Sequence, residues 1–209
     1  MKNTARKLLA AVLALMMILT CSAAFAEDTT ERFEELGLTA TIPDTVMYVT
    51  MASPEDAPLY ELLKQVEYTY DSFREFMTTN GIIAYGLFLT DYSTEFQIAA
   101  GTIGAEIDLK DATEEVLNDY LAIAANGLEN GLENFGVTIE DSGIVHGQRY
   151  NGFWFHYRVT ANGREQSVIQ YSILDGNKAI NMRAYSFQTD YPAEAEEILR
   201  TIFDTIIIE

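Results

Sequence analysis

One cysteine and two histidines are all that 209 residues offer to thiol or imidazole chemistry. The cysteine is Cys21, so residues 27–209 contain none. Within that stretch no disulfide can form, and thiolate catalysis and cysteine-ligated zinc or iron–sulfur centres are excluded. A serine triad needs a base beside its nucleophile, and only His146 and His156 are on offer. The sequence has no G-x-S-x-G, no H-E-x-x-H, no P-loop, no G-x-G-x-x-G and no D-x-[DN]-x-[DN]-G calcium loop. Nothing in it calls for a cofactor or a metal. Positive charge is equally scarce. Lys and Arg total 13 against 32 Asp and Glu, a formal net charge of −19. Binding a phosphate backbone requires a basic surface, so nucleic acid is excluded as a partner. The same imbalance disfavours docking on anionic lipid.

What is present begins with an address. Lys2, Arg6 and Lys7 precede an unbroken apolar run over 8–19, and Ala24-Phe25-Ala26 fits the A-x-A cleavage rule. The pattern predicts a secretory signal peptide over 1–26, cut after Ala26. Twelve apolar residues are too few for a hydrocarbon core of ~30 Å, so no integral membrane segment is expected after cleavage. The expected location is extracytoplasmic, secreted or at the cell surface. Lipidation of Cys21 is the alternative, although Thr20 stands where Gly, Ala or Ser is usual. Hydrophobic residues make up 48% and charged residues 22%, a globular balance, and residues 27–209 read as one domain large enough to bury its own core.

Along that domain, 27–35 is acidic and predicted to fray. Leu38, Ala40 and Ile42 alternate with threonines, a strand stopped by Pro43-Asp44. Ser53-Pro54 resembles a helix start, followed by helical spacing at Leu59, Leu62, Leu63, Val66, Phe73, Phe76 and Met77, closed by Asn80-Gly81. Residues 82–90 and 94–103 read as a hairpin turning at Asp91-Tyr92-Ser93, with a bulge or strand end near Gly101 and Gly104. Asp111 is the expected cap of a helix carrying an apolar stripe at Leu117, Leu121, Ala124, Leu128 and Leu132. That helix ends on Asn126-Gly-Leu-Glu repeated as Asn130-Gly-Leu-Glu, then Asn134-Phe-Gly. Each interior glycine costs roughly 1 kcal/mol against alanine, so the end is expected to fray, or else to serve as a hinge or binding edge.

From Thr138 onward a meander is predicted, with strands near 138–145, 152–160, 165–174 and 178–187 and tight turns at Asn162-Gly163 and Gly176-Asn177. Pro192 opens a last helix whose buried side is Ile198, Leu199, Ile202, Phe203 and Ile206. The order Val145-His-Gly, aromatic strand, Asn-Gly-Arg, strand, Asp-Gly-Asn, strand, Pro192 and Ile-rich helix, with Gly37-Leu-Thr-Ala-Thr-Ile-Pro-Asp44 near the start, resembles the PsbP-like group over most of 37–208. The resemblance implies an α+β fold in which an antiparallel meander sheet of about six or seven strands carries packed helices. It also implies a mainly non-catalytic role, with binding partners that differ between members. It carries over no catalytic residue, because the shared pattern contains none.

The two tight turns fix a register. The first places Phe155 opposite Gln170 and Tyr157 opposite Val168; the second places Gln170 opposite Arg183 and Val168 opposite Tyr185. One sheet face then holds Trp154, His156, Ile169, Tyr171, Ile173, Ile180, Met182 and Ala184, a core composition. The other mixes Phe153, Phe155 and Tyr157 with Gln170, Ser172, Asn181, Arg183 and Tyr185, a composition found on recognition surfaces. Phe155, Tyr157, Gln170, Arg183 and Tyr185 are the candidate ligand-binding residues, with Arg183 expected to be partly exposed beside Tyr157 or Tyr185. The bland alternative is a sheet face half covered by a helix with its polar groups satisfied internally. His146 reads as a surface turn residue and His156 as a satisfied mid-strand histidine. The acids near turns, including Asp91 with Glu95 and Asp108 with Asp111, read as solvated surface. These readings predict a secreted, non-catalytic binding module for an extracellular protein or small ligand. A carboxylate- or metal-dependent extracellular hydrolase is the alternative, marked by two facing carboxylates in a deep pocket. A small-ligand carrier with a closed apolar cavity is a third reading.

Overall fold

The computed structural model describes residues 28–90, 93–132, 135–161, 163–188 and 190–209. The expected signal peptide over 1–26 with Cys21, the expected turn at Asp91 and Tyr92, and Asn134 and Asn162 lie outside the described residues.

Strand β1 (Thr29–Phe33) pairs antiparallel with β2 (Leu38–Ile42) across a short 3-10 turn, Glu34–Leu36. The acidic start is therefore a strand rather than a frayed end, held by partners at every position from Thr29 opposite Ile42 to Phe33 opposite Leu38. Strand β3 (Val46–Thr50), which the pattern did not announce, follows. Ser53 does not start a helix: its Oγ accepts the Thr50 N–H at 2.8 Å in a turn. Helix α1 (Pro58–Gln65) starts four residues beyond Pro54, with Pro58 in its first turn. The helical spacing then breaks at Glu67, whose φ of +73° no helix accommodates. Helix α2 (Tyr70–Thr79) begins afresh behind a capping box in which Thr69 and Ser72 each take the other's backbone N–H.

Strands β4 (Ile82–Phe88) and β5 (Thr94–Asp108) pair antiparallel, and the pairing of β5 with β8 (Arg164–Ser186) shifts register between Thr102 and Ile107, around Gly104. Helix α3 (Glu114–Gly131) is capped by Thr113, which accepts from the Val116 N–H, and not by Asp111. Both residue types cap well, and the one directly before the first turn takes the role. Strands β6 (Thr138–His146), β7 (Asn151–Ala161) and β8 (Arg164–Ser186) complete the meander. Helix α4 (Ala193–Thr205) has Pro192 as its N-cap residue, and β9 (Ile207–Ile208) returns to pair with β2.

The strands form a small sheet, order β1-β2-β9, and a six-stranded sheet, order β3-β4-β5-β8-β7-β6, antiparallel throughout. β8 stays within the sheet along its whole length from Arg164 to Ser186. Yet Arg183 Nε donates to Gln170 Oε1 at 2.7 Å, and Ser172 Oγ to Asn181 Oδ1 at 2.8 Å. At about 3.3 Å per residue, a straight strand would hold Gln170 and Arg183 roughly 40 Å apart. β8 therefore doubles back at Gly176, φ +56°, and Asn177, with its first arm on β7 and its second on β5.

The first face of the large sheet is the core foreseen from the alternation. Ile169, Tyr171, Ile173, Ile180, Met182 and Ala184 lie buried under Ile198, Leu199, Ile202 and Phe203 of α4 and under β2. Each Ile, Leu, Met or Phe among them contributes roughly 1.5–3 kcal/mol by leaving water. The opposite face is covered by two separate pieces. Val49, Ile82, Tyr85 and Ala99 meet Leu59, Leu63, Phe73 and Met77 of α1 and α2. Phe153, Phe155, Tyr157 and Val168 meet Leu117 and the apolar stripe of α3.

A cleft on the second sheet face

The strand pairings place the candidate residues in one line. Phe155 faces Gln170, Gln170 bonds Arg183, Arg183 faces Gln97 on β5, and Gln97 faces Tyr85 on β4. The neighbouring line holds Tyr157 opposite Val168, and Tyr185 opposite Glu95. The register read from the two turns thus holds in space.

The line crosses from the part of the sheet under α3 to the part under α1 and α2, and two cavities open along it. One, of about 350 Å³, lies between α3 and the β7–β8 arms; Phe153, Phe155, Gln170, Ser172, Asn181 and Arg183 form its floor. The other, of about 320 Å³, is bordered by Phe76 and Asn80 at the end of α2, by Phe135, and by Glu95 and Gln97. Leu132, Arg183 and Tyr185 border both.

Burial sorts the five candidates. Phe155 and Tyr157 are 1% exposed and Gln170 is 5% exposed, whereas Arg183 and Tyr185 are half-buried. The first three are walls of the cleft, and the last two stand at its mouth. Gln170 organises the polar groups. Its Oε1 accepts from Arg183 Nε and from the Tyr157 hydroxyl at 3.3 Å, while its Nε2 donates to Ser172 Oγ at 2.9 Å and Asn181 Oδ1 at 3.2 Å. With both ends of the amide used, the orientation is fixed by the network. Arg183 is thus held through Nε by a neutral amide. Among the described residues no carboxylate lies within ion-pair distance of it. Burial pushes the Tyr157 hydroxyl well above its ordinary range, and the nearby Arg183 charge opposes that shift.

Gly127 and Gly131 border the α3-side cavity. The helix runs through both rather than fraying at the first. Neither has a positive φ, and a Cβ on either would meet nothing within 4 Å. Backbone geometry and close packing therefore leave both glycines unexplained, although each costs its helix roughly 1 kcal/mol.

Glu95 departs from the expectation of a solvated turn acid. It is half-buried at the cleft and accepts a hydrogen bond from Tyr85. Its position was readable, since Glu95 and Gln97 alternate with the buried Phe96 and Ile98. Burial holds its carboxyl above the ordinary range, and the Tyr85 bond offsets part of that rise. The folded state therefore keeps this proton over a pH range where the unfolded chain has lost it. The contribution to stability is full below the unfolded pKa and is lost as pH rises through the folded one. Glu95→Gln is expected to raise the melting temperature at pH 7 and to give no gain below about pH 4. Thermal denaturation of both proteins from pH 4 to 8 checks this; an offset independent of pH would contradict it.

The remaining candidates sit elsewhere. His146 is a surface residue, its Nδ1 2.9 Å from Asn151 Oδ1 and its Nε2 3.1 Å from Glu114 Oε1. His156 is not satisfied as expected. It stacks on Tyr191 with ring centres 4.5 Å apart, and its buried Nε2 has no hydrogen-bond partner among the described residues, with Glu196 Oε2 3.9 Å away. Asp108 faces Asp175 across the strands, and Asp175 is raised by burial first and by the Asp108 charge second. The pair sits at an exposed turn rather than in a deep pocket, since Asp108 is solvent-exposed. Among the described residues no three His, Cys, Asp or Glu are grouped to hold a metal ion, and no helix is long and apolar enough to cross a membrane.

No protein-family model and no curated protein matches the sequence. Solved structures do match. The cyanobacterial PsbP (CyanoP) of Synechocystis is similar over 90% of this chain and 97% of its own, with a TM-score of 0.52 and 10% identity. A Bacteroides thetaiotaomicron protein matches 88% of this chain and 49% of its own, with a TM-score of 0.48 and 11% identity. LpqN of Mycobacterium tuberculosis, involved in cell envelope biogenesis, matches 86% of this chain and 88% of its own, with a TM-score of 0.45 and 13% identity. The fold is PsbP-like, as the motifs of the second half implied.

Proposed function

We propose that the chain is an exported, non-catalytic binding module that takes an extracellular ligand or protein partner in the cleft of its second sheet face. The observation that carries this reading is Arg183, a guanidinium at the junction of two cavities, fixed by a neutral amide and facing no described carboxylate within ion-pair reach. A half-buried cation whose protein partner is a neutral amide keeps its charge unmatched, which is the arrangement of a site awaiting an anionic acceptor. The tripartite pattern of residues 1–26 supports export, and the natural protein is then expected to begin at Glu27.

A thermal-shift screen against carboxylates, sugars, amines and short peptides tests the binding role. A ligand at 100 times its Kd stabilises the native state by ~2.7 kcal/mol, a rise of roughly 5 °C or more for a chain of this size. Arg183→Ala is expected to leave the ligand-free melting temperature within about 1 °C and to abolish that rise, because the residue is half-buried and bonded to only one described group. A rise that survives Arg183→Ala, or no rise with any class, would overturn the assignment.

A further inference from the structure

We infer that the cavity beneath α3 takes a small organic monocarboxylate with an apolar body. The inference rests on the reading of the cleft as a binding site and narrows it to one ligand chemistry. Size comes first: about 350 Å³ lies at the lower end of small-molecule pockets and admits a compact ligand rather than a folded partner.

Charge comes next. The whole chain carries 32 acids, yet none borders this cavity among the described residues, and Arg183 is the single charge there. A cationic ligand would meet like charge and no counter-ion. A dianionic phosphate would be left half-neutralised in a partly dry site. One carboxylate matches one guanidinium. The adjoining cavity contains Glu95 and would repel the same ligand, which assigns the anion to the α3 side.

Geometry agrees with charge. The Gln170 carbonyl occupies Arg183 Nε and leaves the two terminal nitrogens, the edge that takes a carboxylate with two parallel hydrogen bonds. Gln170 cannot swing to compete for the ligand, because Ser172, Asn181 and Tyr157 hold it. The apolar body has its own wall in Phe153, Phe155, Leu128 and Leu174. Gly127 and Gly131 supply the room above that wall. A methyl on either would protrude into open space without touching protein, so the two glycines enlarge the volume a ligand would fill.

Calorimetric titration of the purified protein with 3-phenylpropionate, octanoate, 3-phenylpropionamide, 3-phenylpropylamine and inorganic phosphate tests this. At least one of the two carboxylates is expected to bind, the amide at least tenfold more weakly, and the amine and phosphate more weakly still. Arg183→Gln is expected to reduce carboxylate affinity at least tenfold. Gly127→Ala with Gly131→Ala is expected to raise the melting temperature through helix propensity while weakening binding at least fivefold. A misfolded variant would lower both readings, so the opposite signs identify the cavity as the seat of binding. Carboxylate binding that ignores Arg183→Gln or the glycine pair overturns the inference. So does an amide or amine that binds as tightly as the acid with the same dependence on those residues, in which case the binding-module reading stands. If neither carboxylate binds, the inference falls, and if the wider screen also finds nothing, the binding-module reading falls with it.

Discussion

Gly152→Ala is expected to destabilise the protein by about 2–4 kcal/mol, a fall in melting temperature of roughly 5–12 °C at this size. Gly152 opens β7 where α4 crosses the sheet. A Cβ there would overlap the Ser172 carbonyl and lie 2.7 Å from Cε2 of Phe203. Neither neighbour is free to retreat. The carbonyl belongs to the central strand, and Phe203 is 2% exposed within the main core. Gly147 supports the other edge of the same ring, 2.5 Å from its Cε1 to the added atom. Urea denaturation monitored by circular dichroism gives the number; a loss under 1 kcal/mol would mean that α4 slides on the sheet more easily than its packing implies.

Phe203→Ala is expected to cost more still, about 3–5 kcal/mol, through lost burial and the cavity left behind. The ring packs 5.9 Å from that of Tyr171 and fills the space that two glycines leave empty. The two substitutions should be coupled. Removing the ring relieves part of the clash at position 152, so the double variant is expected to lose less than the sum of the single ones. Strict additivity in that cycle would show that the backbone carbonyl alone sets the cost at Gly152.

The second half of the fold was legible because two kinds of information coincide there. Strict alternation assigns Phe155, Gln170 and Arg183 to one face, and glycine turns leave a single register that satisfies it. Elsewhere in the chain only one kind is present, and it does not fix the structure alone. The helical spacing from Leu59 to Met77 gave no sign of the break at Glu67, because the conformation there is one a non-glycine residue seldom adopts. Thr29–Phe33 looked like a frayed acidic end because its strand character comes from the partner β2 and not from its own alternation. Glu95 flanks a turn, as surface acids do, yet its parity with Gln97 puts it on the cleft face. The cleft itself could not be read. Its existence depends on how far α2 and α3 stand apart across the sheet, a spacing set by tertiary packing. His156 shows the same limit: mid-strand parity placed it correctly, but its missing hydrogen bond depends on where Glu196 of α4 arrives.

The doubling back of β8 at Gly176 also divides the molecule by how far each pairing reaches along the chain. From β6 to the second arm of β8, every strand meets its successor through a short turn, so those pairings close small loops. The seam between β5 and β8 is different: Thr94 meets Ser186, closing a loop of about 90 residues that contains α3. Chain entropy charges that seam roughly 2 kcal/mol more than a ten-residue turn. Local pairings therefore have the kinetic advantage, and the meander can assemble as a unit before β3, β4 and β5 join it. Arg183 sits on this late seam, bonded to Gln170 on the meander side and facing Gln97 on the other. The cavity bordered by Glu95 and Gln97 is thus completed only when β5 joins the meander, whereas the α3-side cavity is lined by α3, β7 and the two arms of β8 alone.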